Sequence, residues 1–180
     1  VEDGLSIFNG VAVDGNTNGI PDGCEVGVGT PYGYCTLPLS ACGNAFPTGG
    51  CLNASGTGAI LSGSGTASVS LDNLVLLTSG LNPMGFALTF MGTNGVPGPP
   101  IQNGIVTAGG MNFRFPPYPS GAGIGSIGPG IAGLSIALHP PAGHVTAGST
   151  WFFQTWYRDV GGPCGSFSNF SNGLAVTFFP

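Results

Sequence analysis

Glycine and proline interrupt this chain at short intervals, and that punctuation limits the folds open to it. They supply 35 and 16 of the 180 residues. Glycine weakens a helix interior and proline breaks one. From residue 57 onward, Gly/Pro/Asn clusters stand at 80–83, 95–100, 116–130 and 160–163. Between them lie β-prone runs at 59–62, 68–77, 84–91, 105–115, 131–139, 151–158 and 174–179. No segment keeps a helical period over three turns. Short strands joined by turns predict an all-β fold, an antiparallel β-sandwich of jelly-roll or Ig-like type. A hydrophobic fraction of 42% argues against disorder. The absence of a Gly-X-Y repeat excludes collagen.

The run at 151–158 is the clearest strand. Trp151, Phe153, Thr155 and Tyr157 alternate with Phe152, Gln154, Trp156 and Arg158. Aromatics on both faces predict a central strand covered on each side. Aromatic rings fill β cores. They also stack on pyranose rings, so Trp151, Trp156 and Tyr118 are candidates for surface-glycan binding. Phe113, Phe115 and Tyr118, set among prolines, are either a packed lid or an exposed edge.

Residues 14–25 carry the ligand pattern of a calcium loop. Asp14, Asn16 and Asn18 occupy loop positions 1, 3 and 5, and Gly19 occupies the bend at 6. Ile20 offers its backbone carbonyl at 7, Asp22 sits at 9, and Glu25 closes the shell at 12. The expected cofactor is Ca²⁺. The preceding run from Leu5 to Val13 is β-prone. Residues 26–31 carry too much Gly and Pro for a helix. The loop therefore resembles the helix-poor calcium repeats of dockerins and thrombospondin-type stalks, which implies bracing, not signalling. The expected division is residues 1–30, a strand plus calcium loop, and residues 31–180, a sandwich with a cysteine-rich loop before its strands.

Charge narrows the partners. The chain holds two arginines, no lysine and seven acids, for a net charge of -5. That balance disfavours nucleic acid. No run of about 18 apolar residues is present, so no membrane span is expected. No secretory signal is seen either, and the start at Val1 reads as a mature, processed product. So neutral a surface is expected either to be covered by sugar or to pack against copies of itself or other wall components.

Five cysteines, Cys24, Cys35, Cys42, Cys51 and Cys164, lack zinc spacing and are disulfide candidates of an extracellular or cell-surface protein. An odd count leaves at least one thiol free or paired between chains. A bridge from Cys24 to a cysteine in 35–51 would fasten the calcium loop to the body. Asn53 and Asn169 each open a glycosylation sequon. Catalytic combinations are few. Neither His139 nor His144 sits in a triad-like setting. Asp72 is expected to cap a turn with Asn73, and Asp159 to pair with Arg158 or a turn amide. No enzymatic activity is expected.

Three segments carry a family resemblance: Tyr34-Cys35-Thr36, residues 50–56 (GCLNASG) and residues 147–159 (AGSTWFFQTWYRD). The ending at 169–178 (NFSNGLAVTF) carries it too. They resemble a set of uncharacterised secreted β-rich domains of environmental bacteria, over roughly residues 32–180. Members often follow a calcium-type repeat. Here Gly15 stands where related repeats often have cysteine. The resemblance implies a secreted β domain on a cell surface or in a matrix, and no activity. The function expected is structural: a calcium-stabilised protein that self-associates, with Leu5 to Val13 as a donor strand for the next subunit in a filament. A carbohydrate-binding or adhesion module is the alternative.

Overall fold

The computed structural model describes residues 27–96 and 98–180. Within them the β-prone runs become antiparallel strands. In chain order these are β1 (Thr30–Tyr32), β2 (Ile60–Ser64), β3 (Val75–Ser79), β4 (Phe86–Gly95), β5 (Pro100–Ile101) and β6 (Gly104–Ile105). They continue with β7 (Ala108–Arg114), β8 (Tyr118–Pro119), β9 (Ile124–Ile127), β10 (Thr150–Arg158), β11 (Ser168–Phe170) and β12 (Gly173–Thr177). One sheet runs β1-β12-β10-β4-β7, with β11 on β10 and β8 on β4. A second runs β2-β3-β9, and β5-β6 is a small hairpin.

Strand periodicity places the core. On β10, Trp151 and Phe153 turn inward with Leu174 and Val176 of β12 and Met91 of β4. They meet Leu61, Leu76 and Ile127 from the smaller sheet. Burying each such side chain contributes about 1.5–3 kcal/mol. The predicted central position of β10 is borne out by partners along both edges, but the expected cover on each side is only partial, since Trp156 on the outer face is half-buried. Phe115 is also buried and Phe113 packs against the same core, so this pair is packed, not an exposed edge.

Three buried threonine hydroxyls and the half-buried Tyr118 hydroxyl cross the core. Thr155 of β10 lies 2.8 Å from Thr78 Oγ1 of β3 and 3.0 Å from Thr89 Oγ1 of β4. The Tyr118 hydroxyl joins Thr89 at 2.9 Å.

The expected strand at 131–139 is instead a helix, α1 (Ile131–Leu138). Its apolar residues alternate like a strand, but its start is held by a residue far away in sequence. Asp72 accepts from Ala132 N–H at 2.8 Å and Gly133 N–H at 2.9 Å. Asp72 also takes the left-handed backbone, φ 43°, which aspartate tolerates better than most residues. Ser135, buried, donates to the Ala132 carbonyl and accepts from Val145 N–H. Asp72 thus caps a helix and not only its own turn. Asp72→Ala is expected to cost about 1–2 kcal/mol, the usual loss of an N-terminal cap, measured by urea unfolding.

Other departures are smaller. The 68–77 run is strand only from Val75, because its first half turns: Asp72 N–H donates to the Ser68 carbonyl. The stretch at 116–130, expected as a spacer, holds β8 and β9. Gly125 makes this compatible with close packing, since a Cβ there would lie 2.4 Å from the Tyr118 ring. β1 spans the boundary expected at residue 31, and Val28 already sits in the core.

Candidate functional site

The calcium-loop residues Asp14, Asn16, Asn18, Ile20, Asp22 and Glu25, and the strand from Leu5 to Val13, lie outside the described residues. Among the described residues, no three His, Cys, Asp or Glu side chains gather as a metal site. Nor is any helix there long and apolar enough to cross a membrane.

The cysteines pair as Cys35–Cys51 and Cys42–Cys164. Both bridges anchor the cysteine-rich loop, as expected, and they imply a non-reducing environment. The pairing corrects one expectation: no cysteine in 35–51 is left for Cys24.

The sequons and the last acid converge on one buried node. Asp159 is fully buried on the turn after β10. Its Oδ1 accepts from Ala54 N–H at 2.9 Å and Asn82 Nδ2 at 2.7 Å. Its Oδ2 accepts from Asn103 Nδ2 at 2.8 Å and Asn169 Nδ2 at 3.1 Å. Asp159 therefore binds amides, and Arg158 next to it is not its partner. Asn53 is 2% exposed, and its Nδ2 donates to the Gly80 carbonyl and the Tyr157 hydroxyl. Asn169 is fully buried. A glycan on either nitrogen would require opening the fold, so both sequon asparagines are structural. Burial, with a smaller contribution from the Asp159 charge, holds the Tyr157 phenol above its usual pKa and keeps it neutral.

The histidines are also accounted for by packing. His139 lies between Phe113 and Phe115, and burial lowers its pKa. His144 Nε2 sits 3.1 Å from the His139 carbonyl.

Among the described residues, part of the outer face of the larger sheet is open to solvent. The alternation that turns Trp151 inward turns Trp156 outward. Cross-strand register places Leu88 beside Trp156, and Phe90 beside both Gln154 and Arg114. Phe170 of β11 lies opposite Trp156. Trp156, Leu88, Phe90, Arg114 and Phe170 line a groove of about 420 Å³ together with Val106 and Asn112. Its floor is firm. Phe90 and Phe170 meet edge to face at 6.5 Å. Gln154, fully buried, uses its whole hydrogen-bonding capacity there. It accepts from Thr107 and Ala108 N–H and donates to the Ile105 and Ser171 carbonyls. That pins the chain between β6 and β7 over the sheet.

A second groove of about 410 Å³ shares Trp156 as its wall, with Arg158, Gln102 and Phe167 on its other sides. Both arginines of the chain thus flank one tryptophan on one face. Both are exposed. The two carboxylates among the described residues, Asp72 and Asp159, are committed to amide N–H donors elsewhere.

Of the three aromatic candidates for sugar binding, the fold presents Trp156 alone. Trp151 is 5% exposed and Tyr118 is tied into the hydroxyl cluster. Sequence reasoning singled out neither Arg114, Phe90 nor Phe170 for this site. Phe90 and Arg114 lay on expected strands whose register was not yet known, and Phe170 lay on no expected strand.

No family model, curated protein or solved structure matches this chain.

Proposed function

We propose that the chain is a secreted, calcium-braced module of a cell surface or matrix, and that it works by holding carbohydrate in the groove at Trp156. One observation carries this reading: among the described residues, a groove on the outer sheet face sets the half-buried Trp156 and Leu88 over the buried rings of Phe90 and Phe170, edged by polar and cationic side chains. Ring faces supply apolar contact for sugar C–H groups at low entropic cost, and the rim supplies hydrogen bonds. The polar residues most able to do chemistry are committed to structure, which favours binding over turnover. A glycan array with the intact chain and with Trp156→Ala tests it. The expected result is a set of bound glycans lost in the variant. An array without hits would remove the reading.

Calcium belongs to the same proposal. The loop at 14–25 is expected to bind one Ca²⁺ per chain by calorimetric titration. Glu25→Gln, which removes the bidentate closure, is expected to weaken binding about tenfold or more. Equal titration of both proteins would rule out the proposed ligand set.

Self-assembly is a second reading, favoured by the open end of the larger sheet. β7 has seven residues and, among the described residues, pairs only with β4. The run from Leu5 to Val13 is long enough to extend that edge in another copy by strand addition. Deleting residues 1–13 should reduce particle mass by light scattering. An unchanged mass would exclude donation.

A further inference from the structure

We infer that the groove selects acidic polysaccharide, a chain of uronate-type sugars, over neutral glycan; this rests on the carbohydrate reading above. The observation is the placement of positive charge. The chain has two cationic side chains that are charged at every physiological pH, Arg114 and Arg158. They stand at opposite ends of the paired grooves, with Trp156 between them. Phe90 pairs with both Arg114 and Gln154, and Arg158 follows Gln154 by four residues. At ordinary strand spacing and rise their backbones are about 16 Å apart. That span covers several consecutive sugar rings. An extended polymer crossing Trp156 would therefore meet a guanidinium at each end.

Guanidinium is suited to this task. Its planar fork matches a carboxylate through two parallel hydrogen bonds, and it is more weakly hydrated than ammonium. A neutral sugar would gain nothing comparable from two exposed charges. The described body has two acids and two bases, and neither acid faces this groove. The remaining five acids all lie in residues 1–26, which hold no base. That acidic segment is the competing occupant, and the test includes it.

The test uses the intact chain with three probes: an oligogalacturonate, the same oligomer fully methyl-esterified, and a synthetic peptide of residues 1–26. Binding is followed by calorimetry at about 0.05 M and about 0.5 M salt. The variants are Arg114→Gln with Arg158→Gln, and Trp156→Ala. Both arginines are exposed, so unchanged circular dichroism and melting should accompany the double variant. The expected result is that the acid form binds at least about tenfold tighter than the ester at low salt. Salt and the arginine variant should each remove that preference, and Trp156→Ala should weaken both forms. Equal affinity for acid and ester, unaffected by the arginines, would overturn the inference and leave the carbohydrate reading standing. Binding of neither form would remove both. Tight binding of the peptide with none of the oligomers would assign the face to protein.

Discussion

Replacing Asp159 with alanine is expected to destabilise the domain by about 2–4 kcal/mol, from the loss of hydrogen bonds to a buried charged group. The carboxylate joins four separate parts of the chain, through Ala54, Asn82, Asn103 and Asn169. Removing it strands buried N–H donors, each costing about 1–3 kcal/mol when left without a partner. Asn82, Asn103 and Asn169 keep other acceptors: the Arg158 carbonyl, the Ser166 carbonyl, and the Cys51 and Leu52 carbonyls respectively. The total therefore stays below the full sum. Asp159→Asn should also be costly, because its own NH₂ would face donors where an oxygen stood. Guanidinium unfolding of the three proteins measures this. A loss under about 1 kcal/mol for the alanine variant would mean that the node does not hold the loops together.

Removing the Cys42–Cys164 bridge is expected to cost about 5 kcal/mol on the chain-entropy account, against about 3 kcal/mol for Cys35–Cys51. The difference comes from the loops they close, with sequence separations of 122 and 16. The longer bridge ties the cysteine-rich loop to the segment after β10, so most of the sandwich lies inside its loop. Domains of this size have about 5–15 kcal/mol in all. The double variant Cys42→Ala with Cys164→Ala should therefore be barely folded at 25 °C. The Cys35→Ala with Cys51→Ala variant should fold and unfold at lower denaturant. The reverse order of midpoints would show that local strain or packing, not loop closure, sets the contribution of each bridge.

Much of the sandwich was readable in the chain, for a physical reason. A central strand of a sheet packed on one face and partly covered on the other carries apolar residues at both parities, and residues 151–158 do. Turn chemistry located the gaps. The helix at Ile131–Leu138 was not readable, because its apolar alternation matches a strand and its cap comes from Asp72. Asn53 and Asn169 illustrate the same limit. Their triplets match an acceptor site for sugar, yet each amide is spent inside the fold on partners distant in sequence. The groove was half visible. Trp156 stood out as an aromatic on a strand. Arg114 joined it only when the register of β7, β4 and β10 placed them on one face. The pattern at 14–25 was the most explicit local signal, since the proposed calcium ligands follow one another in sequence and need no tertiary contact to be recognised.

The two tryptophans allow a direct test of the binding site. Trp156 lines the groove and Trp151 is buried in the core. In a proton–nitrogen spectrum of the intact chain, each indole N–H gives one resonance, assigned by Trp156→Phe. Titration with an oligosaccharide bound on the array should move the Trp156 indole progressively to saturation and leave the Trp151 indole in place. If saturating sugar leaves the Trp156 indole where it was, the groove is not the binding site and the proposed function is wrong.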